Sequence, residues 1–298
     1  MKLGWRALLQ TLLSLSILQA RPQSRAQDDK PLPELQDFLK GVRSHLHSDR
    51  LLLNQYTYTE KDVVRALDKK GKIQSSHELV CEIYPSLEEG LTYRRLMSKD
   101  GKSTSTKDLD KQDKAHDKKV RDHQKDLERE GTNERARRQA REAEEKRKEN
   151  ESIDEAFQLY EIRMAGREIL DERAAIALTF DPRPGYKPRT KDGKTLVKFA
   201  GKAWFSEQDH ELIRMEVKLL DDFSLGWGLL LRLNKGATAV IERRKINDEI
   251  WLPTGLRFTG SGRFLLLKGL NLNFTSQYSD FKKFTVETSV QFKVGKIP

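Results

Sequence analysis

The chain has 298 residues, 34% of them charged and 36% hydrophobic, with a formal net charge of +10 and one cysteine. A single Cys excludes an intramolecular disulfide framework, so stability has to come from an apolar core. The positive excess is spread thinly along the whole sequence, which excludes the one-sign stripe that nucleic acid requires and leaves at most peripheral contact with an anionic membrane.

Residues 1–26 read as a cleaved signal peptide. Lys2 and Arg6 precede an apolar run from Ala7 to Leu18, and cleavage falls after Ala26 or Ala20. The run is short of the roughly 20 residues that span a bilayer. The expectation is an exported, soluble, periplasmic monomer. Export permits disulfides, yet Cys81 sits in a strand-like run and reads as a buried, inert thiol.

After a linker comes one amphipathic helix. Leu35, Phe38, Leu39, Val42 and Leu46 fall on one stripe of a 3.6-residue period, with Pro33 suited to the entry. Strands are predicted next, the first through Tyr56, Tyr58, Val63 and Val64, with a turn at Asp68–Gly71. The second runs from Ile73 to Tyr84 and the third through Tyr93 and Met97. The units expected are 27–98 for helix and first strands, 99–151 for a charged insertion, and 152–298 for the remaining strands.

Residues 99–151 are rich in both charge signs and contain no Phe, Trp or Tyr. Helix propensity is high from Asn133 to Asn150, supported by Glu134–Arg138 and Glu142–Lys146 spacings. With no apolar stripe, the reading is a solvated helix or a disordered polyampholyte, the alternative being a partner-binding coiled coil. His116 and His123 among aspartates are a weak metal candidate. From Ser152 onward strand follows strand. Leu170–Arg173 is a turn, 181–194 a loop, and Asn247-Asp248 another turn. Gly260-Ser261-Gly262 is expected to join two strands, and the alternation from Phe281 to Phe292 to form a last one. About eleven strands in all make one antiparallel sheet too wide to stay flat, so it curls.

No catalytic motif interrupts this pattern. His77-Glu78 and His210-Glu211 begin H-E-x-x but lack the second His, and strand spacing cannot bring such pairs onto one metal. Glu88-Glu89 and Asp221-Asp222 read as surface turns. A hydrolase using scattered carboxylates such as Asp221 or Glu211 is the weakest option. No cofactor or metal is expected.

Eleven strands expose more apolar surface than one helix covers. Either the sheet closes tightly on itself or the remainder receives a hydrophobic ligand. The candidate cavity residues are Trp204, Phe205, Met215, Trp251 and Phe258, although alternation alone does not say which face is inside. Three stretches carry a resemblance: Gly201–Arg214 as strand, turn and strand around aromatic residues, Asn247–Thr254 as a hairpin, and Tyr278–Phe281 as a late strand. With the export signal and leading helix, the chain resembles the periplasmic outer-membrane lipoprotein carrier (lipoprotein-sorting) family over residues 32–98 and 152–298. That resemblance implies an α+β, mainly β half-open antiparallel barrel with a covering helix. It also implies a non-enzymatic role binding lipid or lipoprotein acyl chains. The alternative is an envelope scaffold whose charged arm, residues 104–150, docks a protein partner without any ligand.

Overall fold

The computed structural model describes residues 30–46, 53–86, 88, 90–225, 231–264 and 270–283. The expected signal peptide and the end of the Phe281–Phe292 alternation lie outside them. The chain divides into Met1–Pro33 and Glu34–Pro298, and the fold described here belongs to the second unit.

Helix α1 (Leu35–His45) forms where the apolar stripe predicts it. Glu34 caps it, its carboxylate accepting the Asp37 N–H at 3.0 Å. Three strands follow: β1 (Tyr56–Leu67), β2 (Ile73–Tyr84) and β3 (Tyr93–Lys99). The β1–β2 turn is built by Asp68, whose side chain accepts the N–H groups of Lys70 and Lys72, while Gly71 takes φ +80°. After a two-residue β4 (Lys102–Ser103) come helices α2 (Thr106–Arg129) and α3 (Thr132–Leu159). Helix α3 runs through residue 152, where strand was expected, because Glu155, Phe157 and Leu159 give its last turns something to pack on. Glu155 and Leu159 are buried.

The remaining strands are β5 (Tyr160–Leu170), β6 (Arg173–Pro182), β7 (Phe199–Ser206), β8 (Leu212–Leu219), β9 (Phe223–Leu225), β10 (Leu231–Leu233), β11 (Thr238–Ile246), β12 (Ile250–Phe264) and β13 (Leu270–Lys283). Within the expected 181–194 loop a short α4 (Lys191–Leu196) begins, capped by Thr190. Strand β12 passes straight through Gly260–Gly262, where a turn was expected. A Cβ on Gly262 would meet the Arg232 carbonyl at 2.1 Å, so glycine there permits close backbone approach by β10.

The thirteen described strands form one antiparallel sheet that does not close into a barrel. Its order is β4-β3-β2-β1-β13-β12-β11-β8-β7-β6-β5, with β9 and β10 as a side hairpin on β12. The expected curled half-barrel is the fold observed. Strands β1 and β13 pair along nearly their full length, from Tyr56–Lys283 to Leu67–Asn271. Helices α2 and α3 carry the chain from the β3–β4 edge to β5 at the other edge. Among the described residues, no helix is long and apolar enough to cross a membrane.

Candidate functional site

Helix α1 lies directly on β5–β8. Phe38 and Val42, each 2% exposed, pack with Ile176, Leu178, Ala203 and Phe205, and Leu35, Leu39, Leu46, Phe157 and Met215 complete that cluster. Gly41 allows the close approach: a Cβ there would stand 2.5 Å from the His210 ring, which also packs on Phe38 at 5.0 Å. Arg43 ties α1 to α3 through Asp154, its Nε at 2.8 Å. Among the described residues no side chain of β11, β12 or β13 enters this cluster, so the helix covers one flank of the sheet.

Cross-strand partners share a face, which lets the pairing register extend that face beyond the helix. One row runs Met164, Leu178, Ala203, Met215, Ile241, Leu256, Ser276 and Asp62. The row beside it runs Ile162, Phe180, Gly201, Val217, Ala239, Phe258, Phe274 and Val64. The first half of each row lies in or beside the α1 core. In the second half Ile241, Leu256, Val217, Ala239, Phe258 and Phe274 are half-buried, and Val64 is 38% exposed. This apolar strip crosses four strand spacings from β8 to β1, about 19 Å.

The strip ends in charge. Glu60 and Asp62 stand two apart on β1 and face the same way, and Arg94 of β3 reaches both, at 2.6 Å and 3.2 Å. Burial raises the Glu60 pKa and the neighbouring Asp62 adds to this, against the opposing hydrogen bond from Arg94. The rings of Tyr58 and Tyr278 meet edge-on beside the pair, centroids 5.8 Å apart, and burial pushes the Tyr58 phenol up to about 12. Sequence reasoning missed this cluster. Its signal was present: Glu60 and Asp62 are in phase with Tyr56, Tyr58 and Val64, two carboxylates on the apolar side of a strand.

The five candidate cavity residues do not share a face. Phe205 and Met215 lie under α1, and the register puts Phe258 on the open strip of the same face. Trp204 and Trp251 belong to a second cluster with Ala175, Ala177 and Ile213. Their indole N–H groups donate to Glu168 at 2.8 Å and to Asp209 at 3.1 Å. Burial alone would raise the Asp209 pKa, but hydrogen bonds from Lys245 and Trp251 outweigh it and hold it below the usual range. Both tryptophans close the face opposite α1.

The other chemistry-bearing residues have structural partners. His77 meets Asp100, and Glu78 pairs with Lys61. Glu211 faces Arg243 at 3.8 Å, and Asp222 pairs with Arg232. His116 stacks on Tyr93 at 4.3 Å and His123 contacts Glu88, so neither histidine of the charged insertion sits in a carboxylate cage. Cys81 is buried on β2, and burial raises its thiol pKa. An open trough of about 840 Å³ between β3, β4 and the start of α2 is rimmed by Lys99, Lys102 and Lys111.

No family model and no curated protein matches the sequence. Similar folds occur among solved structures. A LolA superfamily protein from Nitrosomonas europaea is 10% identical, covering 88% of this chain and 99% of its own, with TM-score 0.29. A domain assigned to outer membrane lipoprotein sorting in Vibrio parahaemolyticus is 7% identical, covering 87% and 93%, with TM-score 0.31. The MucA/MucB complex of Pseudomonas aeruginosa matches at 10% identity, covering 84% and 99%, with TM-score 0.23.

Proposed function

We propose that the protein is a non-enzymatic, periplasmic binder of acyl chains, taking a lipid or lipoprotein chain along the strip from Val217 to Val64. The observation that supports this is an apolar half-face on which no described helix packs, beside the half sealed by α1. Apolar side chains left wet forgo roughly 1.5–3 kcal/mol each, and an acyl chain gains about 0.8 kcal/mol per methylene it buries. The test is saturable uptake of a fluorescent acyl-chain probe with a neutral head group by the purified chain. Phe258→Glu, which puts a charge at the middle of the strip, should weaken uptake about tenfold or more while leaving the far-UV circular dichroism unchanged. No uptake by the wild type, or uptake indifferent to Phe258→Glu, would sink this reading.

A second reading is favoured by one feature of α3. From Thr132 to Ile153 it carries no buried side chain, as a docking arm for an envelope protein would. Deleting residues 133–150 with a short linker should leave acyl uptake intact and abolish capture of that partner; unchanged capture speaks against the arm.

A further inference from the structure

Building on the acyl-strip reading, we propose that the polar end of the strip is a site for an ammonium head group, received by Glu60 and Asp62 beneath Tyr58 and Tyr278. The amphiphile taken by the protein is then zwitterionic or cationic rather than a free fatty acid.

Three independent features point to a cation. Two carboxylates face one guanidinium, and Arg94 is the only cation contacting either of them among the described residues. One negative charge is therefore left without a counterpart whenever both acids are ionised. Next, Asp62 Oδ1 and Ser276 Oγ are buried and no described residue completes a hydrogen bond to either, although the Ser276 hydroxyl lies near that of Tyr278; Ser276 is 1% exposed. Asp62 and Ser276 are register partners, so the two oxygens belong to neighbouring positions on one face. A buried acceptor without a donor is costly, and an ammonium supplies up to three N–H donors. Finally, tyrosine ring faces attract cations, and Tyr278 is the register partner of Glu60, its ring meeting that of Tyr58 with centroids 5.8 Å apart. Arg94 is 48% exposed on its long stem, so it can swing away and exchange one cation for another. An anionic head would meet two carboxylates, and a neutral alcohol would leave their charge unbalanced.

The groups facing Glu60 are Asp62 on its own strand, Cys81 on β2, Arg94 on β3 and Tyr58 and Tyr278 beside it. A bound ammonium favours the ionised form of Glu60, whose proton is held tightly by burial. Ammonium affinity therefore rises with pH as Glu60 gives that proton up, and an alcohol shows no such rise.

The experiment titrates the full exported chain with decylammonium, decanol and decanoate, each below its micelle concentration, by calorimetry. Decylammonium should bind about tenfold more tightly than decanol, and decanoate least tightly. Asp62→Asn should reduce decylammonium to the level at which the same variant binds decanol. Arg94→Gln should tighten decylammonium by removing the competing cation. Equal binding of all three heads overturns the proposal and leaves the strip standing. So does decanoate binding best and being lost in Arg94→Gln, which would make Arg94 an anion site. Failure of all three to bind removes the strip reading as well. If Asp62→Asn does not fold, the order of heads and the pH dependence in the wild type still decide.

Discussion

At the residue scale the fold depends on a few buried polar groups as much as on its apolar clusters. Glu155, fully buried near the end of α3, accepts the N–H groups of Arg189 and Thr190, the Thr190 hydroxyl and the Tyr186 hydroxyl. Burial would raise its pKa, but these donors outweigh it and hold the carboxyl below its ordinary value. A depressed folded-state pKa means stability that is present above the unfolded-state value and lost as pH falls through the folded one. Glu155→Gln should cost about 1.5–3 kcal/mol near neutrality and flatten the acid side of the stability curve. Urea melts between pH 7 and pH 3 check both expectations, and parallel curves for the two proteins would refute them. The tryptophans show what alternation alone could reveal. Trp204 and Phe205 are consecutive in one strand, so they had to face opposite ways. Which of them lay under the helix depended on packing partners more than 150 residues away in sequence. Irregular register between Trp204 and Phe205 and between Glu242 and Arg243 hid the answer further.

At the element scale, the charged insertion is where sequence and structure differ most. Helix α2 docks without an apolar stripe, through polar contacts repeated at helical spacing. Gln112 bonds the Leu96 backbone at 2.8 and 3.3 Å and so completes the β3 edge beyond β4. Asp113 takes a bidentate pair from Arg95 at 2.9 and 3.0 Å and the Tyr93 hydroxyl at 2.5 Å. Hydrophobic periodicity could not show this face because its residues are Gln, Asp, His and Lys. Burial would raise the Asp113 pKa, yet the Arg95 and Tyr93 hydrogen bonds hold it low, so the contact persists until strongly acid pH. Asp113→Ala should release α2 and speed tryptic cleavage within residues 106–131 by about tenfold or more, with the sheet intact. Unchanged cleavage would mean that the Asp113 contacts are not what holds the helix. In α3 the ion pairs also differ from the expected spacings. Arg138 pairs with Glu130 at 3.0 Å and Glu142 at 3.6 Å, while Glu134 accepts the Gly131 N–H at the helix start. Solvated pairs of this kind contribute little to stability. The glycine-lined close approach in β12 is a firmer constraint. Gly262→Ala should cost about 1–3 kcal/mol and detach the β9–β10 hairpin, visible as loss of amide protection at Leu231–Leu233.

At the scale of the whole molecule, the sheet is sealed on one flank of its helix-bearing face by α1 and backed on the opposite face by the tryptophan cluster. The open strip and its acidic end lie on β8, β11, β12, β13 and β1. The helix, the first hairpin and most strands were legible because each carries its own period and turn residues. Asp68, Gly71 and Asn247-Asp248 were recognisable on sight, and the last two take positive φ in the fold. The site was not legible, since it is assembled by register between strands from both ends of the chain. Arg94 and Glu60 show this at short range, being 34 residues apart and meeting across β2.

The pairing of β1 with β13 has a consequence for how the molecule is made. Among the described strands β1 comes first and its second neighbour follows more than 200 residues later, so β1 waits with one edge unpaired until β13 has been made. Non-local closure of this kind is slow, and the waiting edge invites association with other chains. A chain ending before Leu270 should therefore lose both halves together and collect in aggregates, whereas loss of the charged arm should leave maturation untouched.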